Sequence, residues 1–343
     1  GTDIVMLGTV HQQYSGTFDG QDHTLKFNWN AGEDNQIAPF RNVNNATIQN
    51  LRTKGRIMTG GDYLSGLVME ANGTTTISRC VTDVDITGGH HSIPPYIAGM
   101  VTNVENGASV IITDCLVKGS ITDASWFAGK RISGFVGGYK GTRTITNCLY
   151  LGTSKYGEYY TFTFDNNATL NNCYYLNACG KPQGTQITEA QLKNGEVAKK
   201  LQNNRTDKCY WAQQLGEMPD FYNAADKSKA NYVYYDAAKK GWVCDDFRLT
   251  DGTAMPIGLD FTATKATYDR TLAAGKATLC LPYELPVQGF RAYTLADRQE
   301  SRTAVHFKEV NGTLGAYRPY LLVADAPARL DGENLQVKAD RSS

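Results

Sequence analysis

A pattern of short apolar segments recurs five times in the first half of the chain. Each segment alternates apolar and polar residues around one central isoleucine or leucine, which predicts a strand with one buried face. The segments ATIQNL, TTISRC, VIITDC, RTITNC and ATLNNC align without gaps, and their central residues are Ile48, Ile77, Ile112, Ile145 and Leu170. Because the interval is roughly 30 residues, the pattern indicates a structural repeat rather than a chance similarity.

Two further short segments accompany each of these strands. An upstream segment recurs as SGLV (65–68), AGMV (98–101) and SGFV (133–136), and a downstream segment ends each unit in a small or polar turn. Three strands per repeat, with apolar positions in register, are typical of a solenoid in which successive coils stack. We therefore predict an all-β fold in which residues 1–178 form a right-handed β-helix, or β-solenoid, of about five coils.

Stacking also gives the cysteines and glycines a structural interpretation. Three residues after each central position lies a second column that would face inward, where a thiol packs as a small apolar group. Its members are Leu51, Cys80, Cys115, Cys148 and Cys173. We expect inert, free thiols there, because no basic or histidine partner shares their period. Gly66, Gly99 and Gly134 predict a corner or a close approach between coils that excludes a Cβ atom.

These repeats resemble a known family. The units SGLV…TTISRC, AGMV…VIITDC and SGFVGG…RTITNC are similar to the GLUG-type repeats of secreted and surface-exposed bacterial proteins, many of them from Bacteroidetes. The opening segment GTFDGQDHTL (16–25) resembles the segment that starts such arrays, with Asp22 in place of the usual second glycine. The resemblance covers residues 14–178 and implies an architecture, a cell-adhesion setting and an extracellular or outer-surface location, but no particular chemistry.

The remainder of the chain predicts a cap and a second domain. Residues 186–204 read as one helix, with Thr188 as N-cap and Gln191 at capping-box spacing, which would cover the end of the solenoid. We assign residues 179–222 to this helical cap and connector. Residues 223–343 alternate apolar and polar positions between turn signals, which predicts a smaller antiparallel, sandwich-like β domain.

Composition and motifs exclude several classes of function. Lys plus Arg and Asp plus Glu number 34 each, so the chain lacks the net positive charge that nucleic-acid binding requires. Its apolar runs are too short for a transmembrane helix. None of the common hydrolase, metalloprotease or nucleotide-binding motifs is present. We therefore expect no enzyme activity, no cofactor and no metal site, and we expect any export signal or lipid anchor to lie outside residues 1–343.

One set of side chains does suggest binding. The longest and most variable loops of the repeats are rich in aromatic residues and would emerge at the same corner of each coil. Candidate ligand-binding residues on this predicted ridge are Trp29, Tyr63, His90, His91, Tyr96, Trp126, Phe127, Arg131, Tyr156 and Tyr160. Aromatic rings with a polar edge suit a glycan or a protein partner. The alternative is that these rings fold back over the solenoid flank.

These observations favour a non-enzymatic, secreted or cell-surface binding protein, adhesin-like, that recognises a glycan or a host or bacterial surface protein. Two alternatives remain open at this point. A polysaccharide-acting lyase or hydrolase built on a β-helix would need two carboxylates, or calcium and a basic residue, converging on one face. A purely structural stalk would need no ligand of its own.

Overall fold

The computed structural model describes residues 3–89, 94–124, 130–154, 158–296 and 304–341. The protein is mostly β-structure, as the sequence predicts, and it divides into two compact units, residues 1–187 and residues 188–343. Each unit has its own hydrophobic core. Within the described residues, no helix is long and apolar enough to cross a membrane.

The described residues of the first unit form four sheets in which every strand pairing is parallel. Sheet 1 contains, in spatial order, Thr17–Asp19, Thr47–Gln49, Thr74–Ser78, Ser109–Thr113, Thr142–Thr146 and Thr169–Asn171. Sheet 2 contains Thr24–Asn30, Arg52–Met58, Val81–Gly88, Leu116–Lys118, Leu149–Tyr150, Tyr174–Tyr175 and Thr185–Gln186, with Ile121–Asp123 also paired to Val81–Gly88. Each strand therefore lies beside the equivalent strand of the neighbouring repeat.

Two smaller sheets complete this unit. Sheet 3 contains Phe40–Asn44, Val68–Asn72 and Val101–Val104, and sheet 4 contains Tyr63–Ser65, Tyr96–Ala98 and Arg131–Ser133. The strands of sheet 4 immediately precede Gly66, Gly99 and Gly134. After Gly66 and Gly99 the chain passes into strands of sheet 3, whereas Val136 after Gly134 forms an isolated bridge with Val101. The two sheets carry the candidate site.

The strand register confirms the predicted alignment of the repeats. Ile48 pairs with Ile77, Ile77 with Ile112, Ile112 with Ile145, and Ile145 with Leu170. The four isoleucines are fully buried. Phe18 extends the same column by one strand at its beginning, because it pairs with Ile48. The apolar alternation therefore identified both the strands and their pairing partners.

The cysteine column also lies where the repeat predicts it. Cys80, Cys115, Cys148 and Cys173 are buried free thiols, one residue before the paired positions of sheet 2. The Cys80 backbone N–H donates to the Cys115 sulfur at 3.5 Å, and the Cys115 N–H donates to the Cys148 sulfur at 3.3 Å. Burial raises the pKa of the Cys115 thiol well above its usual value and that of Cys173 to about 12. These thiols are therefore protonated and unreactive at neutral pH.

The recurring glycines mark a close approach between neighbouring repeats. A Cβ atom on Gly66 would meet the carbonyl oxygen of Gly99, one on Gly99 would meet that of Gly134, and one on Gly134 would meet that of Thr161. All three separations would be shorter than 3.0 Å, which real Cβ atoms essentially never show. The glycines are thus required by backbone packing, as predicted.

The second unit begins with helices. The predicted capping box is present, since the Thr188 hydroxyl accepts from the Gln191 N–H and the Gln191 side chain accepts from the Thr188 N–H. The prediction of one helix is wrong, because the segment forms two, Glu189–Lys193 and Glu196–Gln202. They are separated at Gly195, whose φ of 89° lies in the left-handed region that interrupts an α-helix.

The remaining elements of this unit form two main sheets. The larger contains, in spatial order, Asp220–Phe221, Trp211–Gln214, Tyr232–Asp236, Gly241–Leu249, Phe261–Tyr268 and Gly332–Val337. The smaller contains Gly275–Leu279, Tyr320–Ala324, Arg291–Leu295 and Phe307–Val310. Thr271–Leu272 pairs with Ala328–Arg329, Leu285–Pro286 pairs with Thr313–Leu314, and a 3-10 helix spans Ala224–Ser228.

The pairing in this unit departs from the sequence prediction at one place. Gly241–Leu249 and Phe261–Tyr268 run parallel, whereas the other described strand pairs of the unit are antiparallel. A parallel pair requires the chain to return to the end of the sheet at which the first strand began. The segment 250–260 is long enough for this return, whereas the two-residue turn of a hairpin is not. Turn signals alone did not distinguish these connections.

Candidate functional site

Sheet 4 places three of the predicted site residues side by side. Tyr96 pairs with Tyr63 on one neighbouring strand and with Arg131 on the other. The next residue of each strand, Leu64, Ile97 or Ile132, is fully buried. Because side chains alternate between the two faces of a strand, Tyr63, Tyr96 and Arg131 project from the outer face, where they are half-buried.

The three side chains form a continuous stack that Tyr139 extends. The Tyr63 and Tyr96 rings are stacked, with their centroids 4.9 Å apart and their planes at 17°. The guanidinium carbon of Arg131 lies 4.5 Å from the centroid of the Tyr96 ring and 4.1 Å from that of Tyr139. We call these four residues the Tyr–Arg ladder. Cation–π contacts of this kind hold the guanidinium group beside the rings.

A surface cleft of about 190 Å³ runs beside the Tyr–Arg ladder. Aromatic rings line one part of it, and carboxylate, amide and ammonium groups from sheet 3 and the segment after it line the other. The lining residues are Gln36, Tyr63, Met69, Glu70, Tyr96, Asn103, Glu105, Tyr139 and Lys140. Stacked rings beside convergent polar groups are characteristic of small-ligand sites.

Amide side chains hold the Glu70 carboxylate of the cleft in place. Its Oε1 accepts from the Asn42 side chain at 3.0 Å, and Asn42 and Asn103 occupy the paired positions on either side of Glu70. Asn72 donates to the same oxygen at 3.4 Å. Glu70 is therefore a fixed hydrogen-bond acceptor at the base of the cleft.

The second carboxylate, Glu105, is held in a similar way. Its Oε1 accepts from the Asn103 side chain at 2.7 Å, and its Oε2 lies 3.4 Å from the Lys140 ammonium nitrogen. The cleft thus combines two oriented carboxylates with one ammonium group and a flat aromatic wall.

Trp29 does not belong to the exposed surface, contrary to the sequence prediction. It is only 4% exposed, its ring stacks on Phe27 at 4.2 Å, and its Nε1–H donates to the Asp3 carbonyl oxygen at 3.0 Å. The reason is its strand register: Trp29 pairs with Ile57, which pairs with Ile86 in the core. Trp29 therefore packs at the head of an apolar column rather than in a loop.

The other predicted residues are placed differently or lie outside the described residues. Tyr160 is half-buried and pairs with Ser133, but its ring contacts Phe164 and Lys181 and does not line the cleft. His90, His91, Trp126, Phe127 and Tyr156 fall in segments outside the described residues. Tyr63, Tyr96 and Arg131 are thus the predicted residues that the structure brings together.

Several residues of the cleft were missed by reasoning from the sequence. Glu70, Asn103 and Glu105 follow the SGLV and AGMV segments, and Tyr139 and Lys140 follow SGFV. A signal was present, because polar residues recur at equivalent positions just after each of these segments. These polar positions follow the recurring glycine segments, whereas the aromatic loops that indicate binding precede them.

In the described part of the chain, no group of three or more His, Cys, Asp or Glu side chains is arranged to hold a metal ion.

The chain matches no family model, and comparisons with curated proteins and with solved structures find no significant match. The Tyr–Arg ladder and its cleft are therefore interpreted from their own geometry.

Proposed function

We propose that residues 1–187 form a β-solenoid of GLUG-type repeats, and that the protein is a non-enzymatic, secreted or surface-exposed binding protein that recognises glycans through the cleft beside the Tyr–Arg ladder. The parallel, in-register pairing of equivalent strands from successive repeats supports the solenoid. The extracellular setting follows from the resemblance of the repeats and is part of the proposal.

The observation that carries the glycan assignment is the combination of stacked, half-exposed tyrosines with fixed acceptors. A sugar ring has an apolar C–H face that packs on an aromatic ring and a rim of hydroxyl groups that donate hydrogen bonds. Because the Tyr63 and Tyr96 rings stack on each other, a ligand meets their exposed edges as the first contact, and the Glu70 and Glu105 carboxylates offer the second. Neighbouring strands lie about 4.8 Å apart, so the two rings can contact successive parts of an extended chain.

Enzymatic cleavage is the second candidate, because Glu70 and Glu105 line the same cleft and glycosidases use a pair of carboxylates. Their contacts favour binding instead. Glu70 accepts from two amide side chains, and Glu105 is engaged by Asn103 and Lys140. A general acid must donate a proton to the leaving group, whereas the Glu70 and Glu105 carboxylates both accept hydrogen bonds from neighbouring side chains.

A glycan array that includes mucin glycans tests the proposal. We expect the full chain to bind a subset of glycans and the double variant Tyr63→Ala/Tyr96→Ala to lose that binding. Tyr235→Ala is the matched control, since Tyr235 is a half-buried tyrosine of the second unit that packs on Trp242. Circular dichroism must show that all variants remain folded.

The outcomes separate the three classes of function. Binding that survives in the double variant would remove the ladder from the function, and no binding by the parent would favour a structural stalk. Release of reducing ends or unsaturated sugars from a bound glycan would establish an enzyme, and Glu70→Gln or Glu105→Gln would then abolish turnover. Antibody labelling of intact producing cells tests the surface location.

A further inference from the structure

Arg131 differs from the cations that follow and precede it in the chain. Three cationic residues near it in sequence each form an ion pair with a carboxylate: Lys130 with Asp123 at 2.6 Å, Lys140 with Glu105 at 3.4 Å, and Arg143 with Asp165 at 2.9 Å. Within the part of the chain that the structure describes, no carboxylate lies within ion-pair distance of the Arg131 guanidinium group. Its side chain contacts two tyrosine rings instead.

This arrangement orients the guanidinium group without using its hydrogen-bonding capacity. Contact with the Tyr96 and Tyr139 rings, whose centroids lie 4.5 Å and 4.1 Å from the guanidinium carbon, restricts the position of the group. The N–H donors lie along the edge of the plane, where they match the two oxygens of a carboxylate. A cation held in this way pays little conformational entropy when it binds an anion.

We propose that Arg131 recognises the carboxylate of an acidic sugar, so that the ligand of the cleft is a glycan containing a uronic or sialic acid. This inference rests on the proposed glycan-binding function and specifies its ligand class. The sugar ring contacts the exposed edges of the ladder tyrosines, its carboxylate accepts from the N–H groups of Arg131, and its hydroxyl groups donate to Glu70 and Glu105.

The charges around the cleft define how such selectivity operates. The residues that line the cleft include Glu70, Glu105 and Lys140, with a net charge of −1, and Arg131 of the adjoining ladder brings the sum to zero. Long-range attraction of a polyanion is therefore weak. Selectivity comes from the short-range paired hydrogen bonds at Arg131, and the Lys140 contact reduces the repulsion from Glu105.

Matched pairs of ligands test the inference directly. The probes are oligosaccharides containing galacturonic acid or sialic acid, each measured beside its own methyl ester, which keeps the sugar and removes the charge. For at least one pair we expect the parent protein to bind the acid about tenfold more tightly than the ester, equivalent to about 1.4 kcal/mol. Isothermal titration calorimetry gives both affinities under the same salt conditions.

Variants assign the preference to the residue. Arg131→Gln should lower the ratio of acid to ester affinity to about one, and Arg131→Lys should retain part of it, because lysine keeps the charge but lacks the paired donors. Arg56→Gln is the control, since it removes the same charge from an exposed position of sheet 2. A purely structural role for Arg131 would weaken acid and ester binding equally.

The failure of this inference differs from that of the proposed function. If the protein binds glycans but prefers the esters or other neutral sugars, Arg131 is not an anion site and the glycan-binding function stands. An unchanged ratio in Arg131→Gln also overturns the inference. If no glycan of the array binds, the proposed function itself is wrong.

Discussion

Gly99 offers the most direct test of how closely neighbouring repeats approach. Its φ is not in the left-handed region, so substitution by alanine perturbs the protein through steric contact alone. The added Cβ would collide with the Gly134 carbonyl oxygen and would lie 2.6 Å from a methyl group of Val117. A backbone atom cannot move aside as a flexible side chain can, so the two strands must separate.

The expected cost follows from the contacts that this separation disturbs. Overpacking of a well-packed core costs about 1–3 kcal/mol. The Gly99 N–H donates to Ser133 at 3.3 Å, and the Met100 N–H donates to Phe135 at 3.2 Å; each weakened bond adds up to about 1 kcal/mol. We expect Gly99→Ala to lower the free energy of unfolding by about 3 kcal/mol and the melting temperature by roughly 6–12 °C.

Urea unfolding and peptide-resolved hydrogen exchange on the full chain measure this effect. Hydrogen exchange should accelerate in the strands on both sides of Gly99 and remain unchanged in residues 188–343. Gly241→Ala is the matched control, because its Cβ would meet a single atom within 4 Å, the Lys239 carbonyl oxygen at 3.8 Å. A loss below about 1 kcal/mol, or a loss equal to that of the control, would refute the packing argument.

Three further predictions concern stability. Burial raises the pKa of the Cys173 thiol to about 12, so the unfolded chain loses this proton first, and this thiol alone should lower stability by up to about 1.4 kcal/mol per pH unit above pH 9. The other buried thiols add to the total slope, so Cys173→Ala should reduce the slope in urea titrations by about that amount, and an unchanged slope would contradict the prediction. Asp165→Asn should lower the free energy of unfolding by about 2 kcal/mol in urea, because it removes the charge that pairs with the buried Arg143. An unchanged free energy would show that the hydrogen bond from Arg143 to the Gly138 carbonyl oxygen is sufficient. Thr188→Ala should destabilise the second unit by about 1 kcal/mol in thermal melts, and Thr188→Ser should restore the cap; equal melting of the two variants would exclude the capping role.

The sequence predicted the columns of the first unit well, because one apolar residue per repeat must face inward. Ile77 and Ile112 therefore revealed both their strands and their pairing. The sequence prediction for Trp29 was wrong because its strand precedes the first clear repeat. Trp29 pairs with Ile57, which pairs with Ile86, and this pairing follows from the strand register and not from the residue type. Aligning TLKFNWN with RTKGRIM would have placed Trp29 in the core.

The candidate site was only partly accessible to sequence reasoning. Tyr63, Tyr96 and Arg131 occupy equivalent positions in successive repeats, so the period places them together. Glu70 and Tyr139 reach the same cleft from different segments, and their convergence depends on how the chain turns between sheet 4 and sheet 3. The recurring polar positions mark these segments, but periodicity alone does not show that they reach the same cleft as sheet 4, because that depends on three-dimensional packing.

The register of sheet 4 also has an evolutionary consequence. Tyr63, Tyr96 and Arg131 come from three consecutive repeats, so the proposed binding surface is assembled between repeats rather than within any one of them. Duplication or deletion of one repeat by recombination would leave every core column continuous while changing which side chains stand next to each other outside. Ligand recognition could therefore change by the gain or loss of whole repeats, and each intermediate sequence would still encode a folded protein.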